Sequence, residues 1–167
     1  MNDRARFAIE QWSREKPHLP SLPMELIGRL AEAAQRIAHQ HLNPLFAQHG
    51  LQAGEFDVLA TLLRSGDPYA LTPTALYEAA MMSSGGMTNR IDRLEKAGLV
   101  ERRKNPHDRR GTLVTLTESG LALINPLMEL HVANEQCILQ CLSEVEQQQL
   151  NDLLAKLISA LPTTSRP

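Results

Sequence analysis

At 167 residues the chain has room for one domain whose core can fold alone, which argues against a two-domain enzyme. Its 17 basic and 19 acidic residues give a net charge of −2, a poor match to a uniformly cationic nucleic-acid binder. No run approaches the ~18 apolar residues of a membrane span, and the first residues carry charges where a secretory signal would be apolar, so a cytoplasmic chain without membrane contact is expected.

Residues 1–23 read as an N-terminal extension, with a short amphipathic helix over 3–16 bearing Phe7, Ile9 and Trp12 before Pro17, Pro20 and Pro23 interrupt it. Over 24–53, Ile27, Leu30, Ala31, Ala34, Ile37, Ala38, Leu42 and Leu45 recur at helical spacing and predict a long helix to about His49, ended by Gly50, with a kink at Pro44. Residues 54–120 read as a winged helix-turn-helix. Gly54 opens a helix with Phe56, Leu59, Ala60 and Leu63 inward, and Thr72 with Pro73 caps a short one. The next helix runs over about 84–96 with Met87, Ile91 and Leu94 buried, and Gly98 caps its end. Two β-rich runs, 99–104 and 112–116, flank Asn105-Pro106-His107-Asp108-Arg109-Arg110-Gly111, a hairpin with a charged tip. Over 121–161 the pattern predicts two more helices. Thr117 caps the first, Pro126 interrupts or kinks it, and Ser143 with Glu146 forms a capping box for the second; 162–167 is a tail.

The fold class is therefore mainly α with a small β-hairpin wing. The charge divides along the chain in the same way. Residues 83–111 hold eight Lys or Arg against four acids, a local +4, and the remainder holds nine against fifteen, or −6. A basic face on an acidic body suits an anionic partner met on one side, and the helix-turn-helix with its wing makes that partner duplex DNA. The helices outside 54–120 carry more apolar surface than one small winged domain needs, which predicts a homodimer. Two-fold pairing would set the reader helices about one duplex turn (~34 Å) apart, as a palindrome requires.

Ser83 and Ser84 stand where they can cap the reader helix and face a phosphate, and Thr88, Asn89 and Arg93 project outward along it. Asn89 suits adenine and Arg93 guanine, although either can serve a phosphate instead. At the wing, Arg110 is placed to enter a minor groove, Asp108 to orient Arg110, and Arg103, Lys104 and Arg109 to attract the backbone. Cys137 and Cys141 share a helix face; with no supporting His or Cys cluster they read as thiols at a helix seam, with a redox or metal role as the alternative. His39 and His41 diverge on their helix, and no phosphate cradle, nucleophile elbow or metal trio accompanies them. No enzyme, metal or cofactor is expected.

Asp108-Arg109-Arg110-Gly111 leading into LVTLTESG resembles the wing of the multiple-antibiotic-resistance-regulator (MarR) family, and the likeness extends from about Met24 through Leu161. It implies a homodimer that binds palindromic operators, usually as a repressor, and releases them when a small molecule occupies a cleft between the dimerisation helices and the winged domain. PMELIGRL, GEFDVLATL and SSGGMTNRIDRLEKAGLVERR are similar to the branch that responds to urate and related purines. By that resemblance Trp12, Asp57, Arg90 and Arg102 serve the effector, a small aromatic or purine molecule, and Asp57 is expected to pair with Arg90 across adjacent helices. The peroxide-sensing relatives use a Cys near the start of the first long helix, and none precedes Cys137 here. The alternatives are a regulator answering to a phenolic or indole acid, and a winged module for protein association that binds no DNA.

Overall fold

The structure is a computed structural model and describes residues 3–80, 86–106, 108 and 111–162. Helix α1 (Arg4–Glu15) starts at Asp3, whose carboxylate accepts the Arg6 N–H at 3.0 Å and also pairs with Arg29 of α2 (Ser21–Arg36). The Arg29 guanidinium and the Arg6 N–H hold the Asp3 carboxyl below its ordinary pKa of 3.8. α1 lies close on α2, where a Cβ built on Gly28 would meet Ala5 Cβ at 3.4 Å.

α2 begins at Ser21, earlier than the periodicity suggested, because Pro23 falls in the first turn, where a missing N–H costs nothing. The long helix then widens into a π-helical stretch, Ile37–Leu42, before α3 (Asn43–Gln48). The Asn43 N–H reaches back to the Ala38 carbonyl, five residues away, just ahead of Pro44. Pro44 has no N–H to give and its ring crowds the preceding turn, so the helix adapts by a π-bulge.

A capping box of Gln52 and Glu55 opens α4 (Ala53–Arg64). Strand β1 (Ala70–Leu71) follows, then α5 (Pro73–Ala79) capped by Thr72, and α6 (Met87–Lys96). The predicted start of α6 at Ser84, and Ser83 with it, lies outside the described residues; the residue preceding the observed helix is Gly86. β2 (Val100–Lys104) and β3 (Thr112–Leu116) pair antiparallel from Val100↔Leu116 to Lys104↔Thr112, and β1 joins the far edge of β3, giving the order β1-β3-β2. α7 (Glu118–Leu139) runs through Pro126 without interruption, and α8 (Glu144–Ala160) starts from the Ser143–Glu146 capping box. The fold is a winged helix-turn-helix carrying long terminal helices.

The core is confined to the winged part and the elements packed on it. Val58, Leu59 and Leu62 of α4, Leu76 of α5, Ile91 and Leu94 of α6, Val100 and Val114 of the sheet, and Ile124 and Leu127 of α7 are all sealed from solvent. Phe46 stacks on Phe56 at 4.1 Å between ring centroids, and His131 of α7 tilts against Phe56 at 4.7 Å, so α3, α4 and α7 meet at one aromatic cluster. By contrast α1, α2 and α8 contain no buried residue. Leu22, Leu26, Ile27, Leu150, Leu153 and Ile158 remain exposed, a surface that one chain alone leaves in water.

Candidate nucleic-acid interface

α6 is fixed from behind by Met87, Ile91 and Leu94, spaced four and three apart, and this turns Thr88, Asn89, Asp92, Arg93 and Lys96 outward. Its partner is the first turn of α4. A Cβ on Gly54 would stand 2.3 Å from Arg90 Nε and 2.7 Å from Cζ, so the Arg90 guanidinium lies directly over the Gly54 backbone. One residue on, Glu55 Oε1 lies 2.9 Å from Arg93 Nε. The other Glu55 oxygen accepts the Gln52 N–H at 2.7 Å as part of the helix cap.

An ion pair joining α4 to α6 is Glu55–Arg93, which the sequence did not single out. The capping box draws the Glu55 carboxylate toward the helix start, within reach of Arg93, and the Oδ2 atom of Asp57 is buried with no hydrogen-bond partner. Sequence reasoning missed Glu55 as an interface residue. Its signal was the Gln52–Glu55 spacing, which foretells a cap without foretelling the cap's second partner.

The wing is tied to α6 by Arg102. Its guanidinium reaches Asp92 at 2.5 Å and also pairs with Glu95, and its backbone N–H donates to Glu95 Oε1 at 3.2 Å. Asp92 first, and then Glu95, hold the Arg102 pKa above its ordinary value, so the positive end of this clamp persists at any working pH. On the other face of β2, Arg103 pairs with Glu101, and Lys104 is exposed at the strand end. The hairpin closes through Gly111 N–H to the Asp108 carbonyl at 2.9 Å and Asn105 N–H to the Gly111 carbonyl at 3.0 Å. Arg109 and Arg110 lie outside the described residues, and with them the expected orienting contact from Asp108.

A groove between α5 and α6 is lined by Pro73, Thr74, Tyr77, Thr88 and Asn89. Thr74 and Tyr77 thus share an exposed surface with the reader positions. Trp12, 45% exposed, stands on α1, whereas Asp57, Arg90 and Arg102 belong to α4, α6 and β2. Both cysteines are exposed in the single chain. Among the described residues no three His, Cys, Asp or Glu side chains could hold a metal ion, and no helix is long and apolar enough to cross a membrane.

This arrangement has known counterparts. A model of the MarR family matches residues 49–111. The chain is 42% identical over 149 residues to the HTH-type transcriptional regulator PecS of Dickeya dadantii, covering 89% of each protein. A mutant MarR from Escherichia coli complexed with operator DNA gives a TM-score of 0.69 at 28% identity, covering 90% of this chain and 98% of that one. Bordetella bronchiseptica BpsR, studied for the regulation of its DNA binding by 6-hydroxynicotinic acid, gives 0.66 at 28% identity, covering 79% of this chain and 91% of that one. The chain belongs to the MarR family of winged-helix transcriptional regulators.

Proposed function

We propose that this protein is a ligand-responsive transcriptional repressor that binds a palindromic operator as a homodimer and leaves it when a small aromatic or purine molecule binds. The carrying observation is that Arg102 locks a basic wing to a reader helix whose apolar side is buried and whose polar side is open. In this reading Thr88, Asn89 and Arg93 enter a major groove, and Ser83 and Ser84, which precede the helix in sequence, serve a phosphate. Arg103, Lys104, Arg109 and Arg110 serve the backbone and the adjacent minor groove, and Asp108 orients Arg110. The exposed apolar side chains of α2 and α8 support a two-fold partner.

For the effector, Trp12, Asp57, Arg90 and Arg102 are the proposed group, with urate as the leading candidate. The buried, unpartnered Asp57 Oδ2 supports this, since a ligand N–H is the kind of donor that would satisfy it. Arg90 rests on α4 while its helix faces DNA, so a ligand that moved Arg90 would move the reader helix with it. A phenolic or indole acid is the second reading, and the likeness to BpsR, whose DNA binding is regulated by another aromatic acid, supports an acid effector.

The test is affinity for a duplex selected from a random pool, measured against salt concentration and then against urate, xanthine, salicylate and an indole acid. Several phosphate contacts predict a steep negative log-log slope, roughly −0.9 per phosphate neutralised. A slope near zero, or equal affinity for random duplex, rejects the DNA-binding role. Release by the acids and by neither purine moves the effector to the second reading.

A further inference from the structure

We propose that Glu55 is a positioning residue for operator readout, holding the Arg93 guanidinium by its Nε edge so that the terminal nitrogens face the DNA. The inference rests on the DNA-binding reading above and goes beyond it, since Glu55 itself touches no nucleic acid. The Glu55 side chain is 4% exposed and that of Arg93 is 57% exposed, so one end of the pair is anchored in protein and the other opens to solvent. The carboxylate cannot swing away, because its second oxygen completes the α4 cap at 2.7 Å from the Gln52 nitrogen. The nitrogen of Arg93 nearest the carboxylate is Nε, at 2.9 Å. In this proposal Nη1 and Nη2 are the groups left for the DNA.

Those two groups form the fork that matches paired acceptors, either O6 and N7 of a guanine or two phosphate oxygens. A free arginine on an exposed helix face samples many rotamers and loses that freedom on binding, whereas an arginine already held at Nε has less to lose. Gly54 adds to the arrangement from the same turn, since its bare backbone admits Arg90. The first turn of α4 therefore seats two arginines of the reader helix and aims one of them.

The experiment compares Glu55→Gln, Arg93→Ala and the double variant on a palindromic duplex selected by the unaltered protein from a random pool. Glutamine at this position can still accept the Gln52 N–H, so E55Q keeps the cap and loses the charge; an unchanged thermal midpoint checks this. The expected result is that E55Q weakens binding to the selected duplex in the same manner as R93A, on the order of tenfold, and that the double variant is no weaker than R93A. If the fork reads guanine, preference at one base position falls in both single variants; if it holds phosphate, both lower the salt slope by about one.

Additive losses, or an E55Q protein that binds like the original while R93A does not, overturn the positioning role and leave the DNA-binding reading intact. Tighter binding by E55Q overturns it too, since Glu55 would then be withholding Arg93. A selection that yields no sequence overturns both.

Discussion

Replacing Leu153 and Leu157 with glutamate is expected to convert the protein to a monomer at micromolar concentration and to weaken operator binding by roughly 10²- to 10⁴-fold, the range lost when two linked binding events become separate ones. Leu150, Leu153 and Leu157 are spaced three and four apart and so form one stripe along α8, exposed by 41%, 65% and 38%, and Leu161 just past the helix end is 58% exposed. Fully burying a leucine is worth about 1.5–3 kcal/mol, and these exposed leucines offer a second copy more than a surface helix would otherwise forgo. A carboxylate at either central position leaves an unpaired charge in that seam. Leu154, half-buried within the chain, is left untouched so that α8 keeps its own anchor. Sedimentation velocity reads the assembly and anisotropy reads the affinity. A double variant that remains dimeric places the two-fold seam elsewhere.

Gly120→Ala is expected to destabilise the protein by about 3 kcal/mol, lowering the thermal midpoint on the order of 10 °C. Helix propensity alone argues the opposite, since alanine is better than glycine inside a helix by about 1 kcal/mol. Contact decides the sign. A Cβ at this position would stand 2.1 Å from the Leu99 carbonyl oxygen and 3.2 Å from Leu116 Cδ2. The carbonyl cannot retreat, because it accepts the Thr117 N–H at 3.1 Å and the Leu99 N–H is itself bonded to the Leu94 carbonyl at 2.9 Å. Thr117 binds the same corner by donating its hydroxyl to the Gly98 carbonyl at 2.7 Å while accepting the Gly120 N–H at 2.9 Å. Relief requires α7 to lift from the start of the wing, parting the terminal helices from the reader unit. A raised midpoint in the alanine variant contradicts this packing.

The features legible in the sequence were those governed by neighbours along the chain. Thr72 before Pro73, Ser143 before Glu146, and Gly98 after Lys96 each answer unpaired backbone groups at a helix end, and each stands where the pattern placed it. The buried side of α6 and the two wing strands were legible for the same reason, since period and turn chemistry are local. β1 was missed because two residues carry no periodicity and become a strand only by joining β3, distant in sequence. Pro23 read as a break, Pro44 as a kink and Pro126 as a break or kink; in the structure a first-turn position absorbs Pro23, a π-bulge precedes Pro44, and α7 continues past Pro126.

The site was legible in its elements and less so in its pairings. Thr88, Asn89 and Arg93 lie outward as their helix phase required. Which acid meets which arginine depends on how two helices are offset, and one residue pattern allows several offsets. The cap on α4 brought Glu55 to Arg93, and Asp92 with Glu95 took Arg102; neither pairing was read from the sequence. Both carboxylate partners of Arg102 stand on α6.

Hydroxyl-radical footprinting of the full-length protein on a selected palindromic duplex, with the number of bound protomers measured on the same complex, tests the central claim most directly. Two protomers are expected, protecting two segments about one helical turn (~10 base pairs) apart on one side of the duplex, with further protection at the flanking minor grooves where the wings fall. One protomer protecting a single segment, or protection without a helical repeat, contradicts the account.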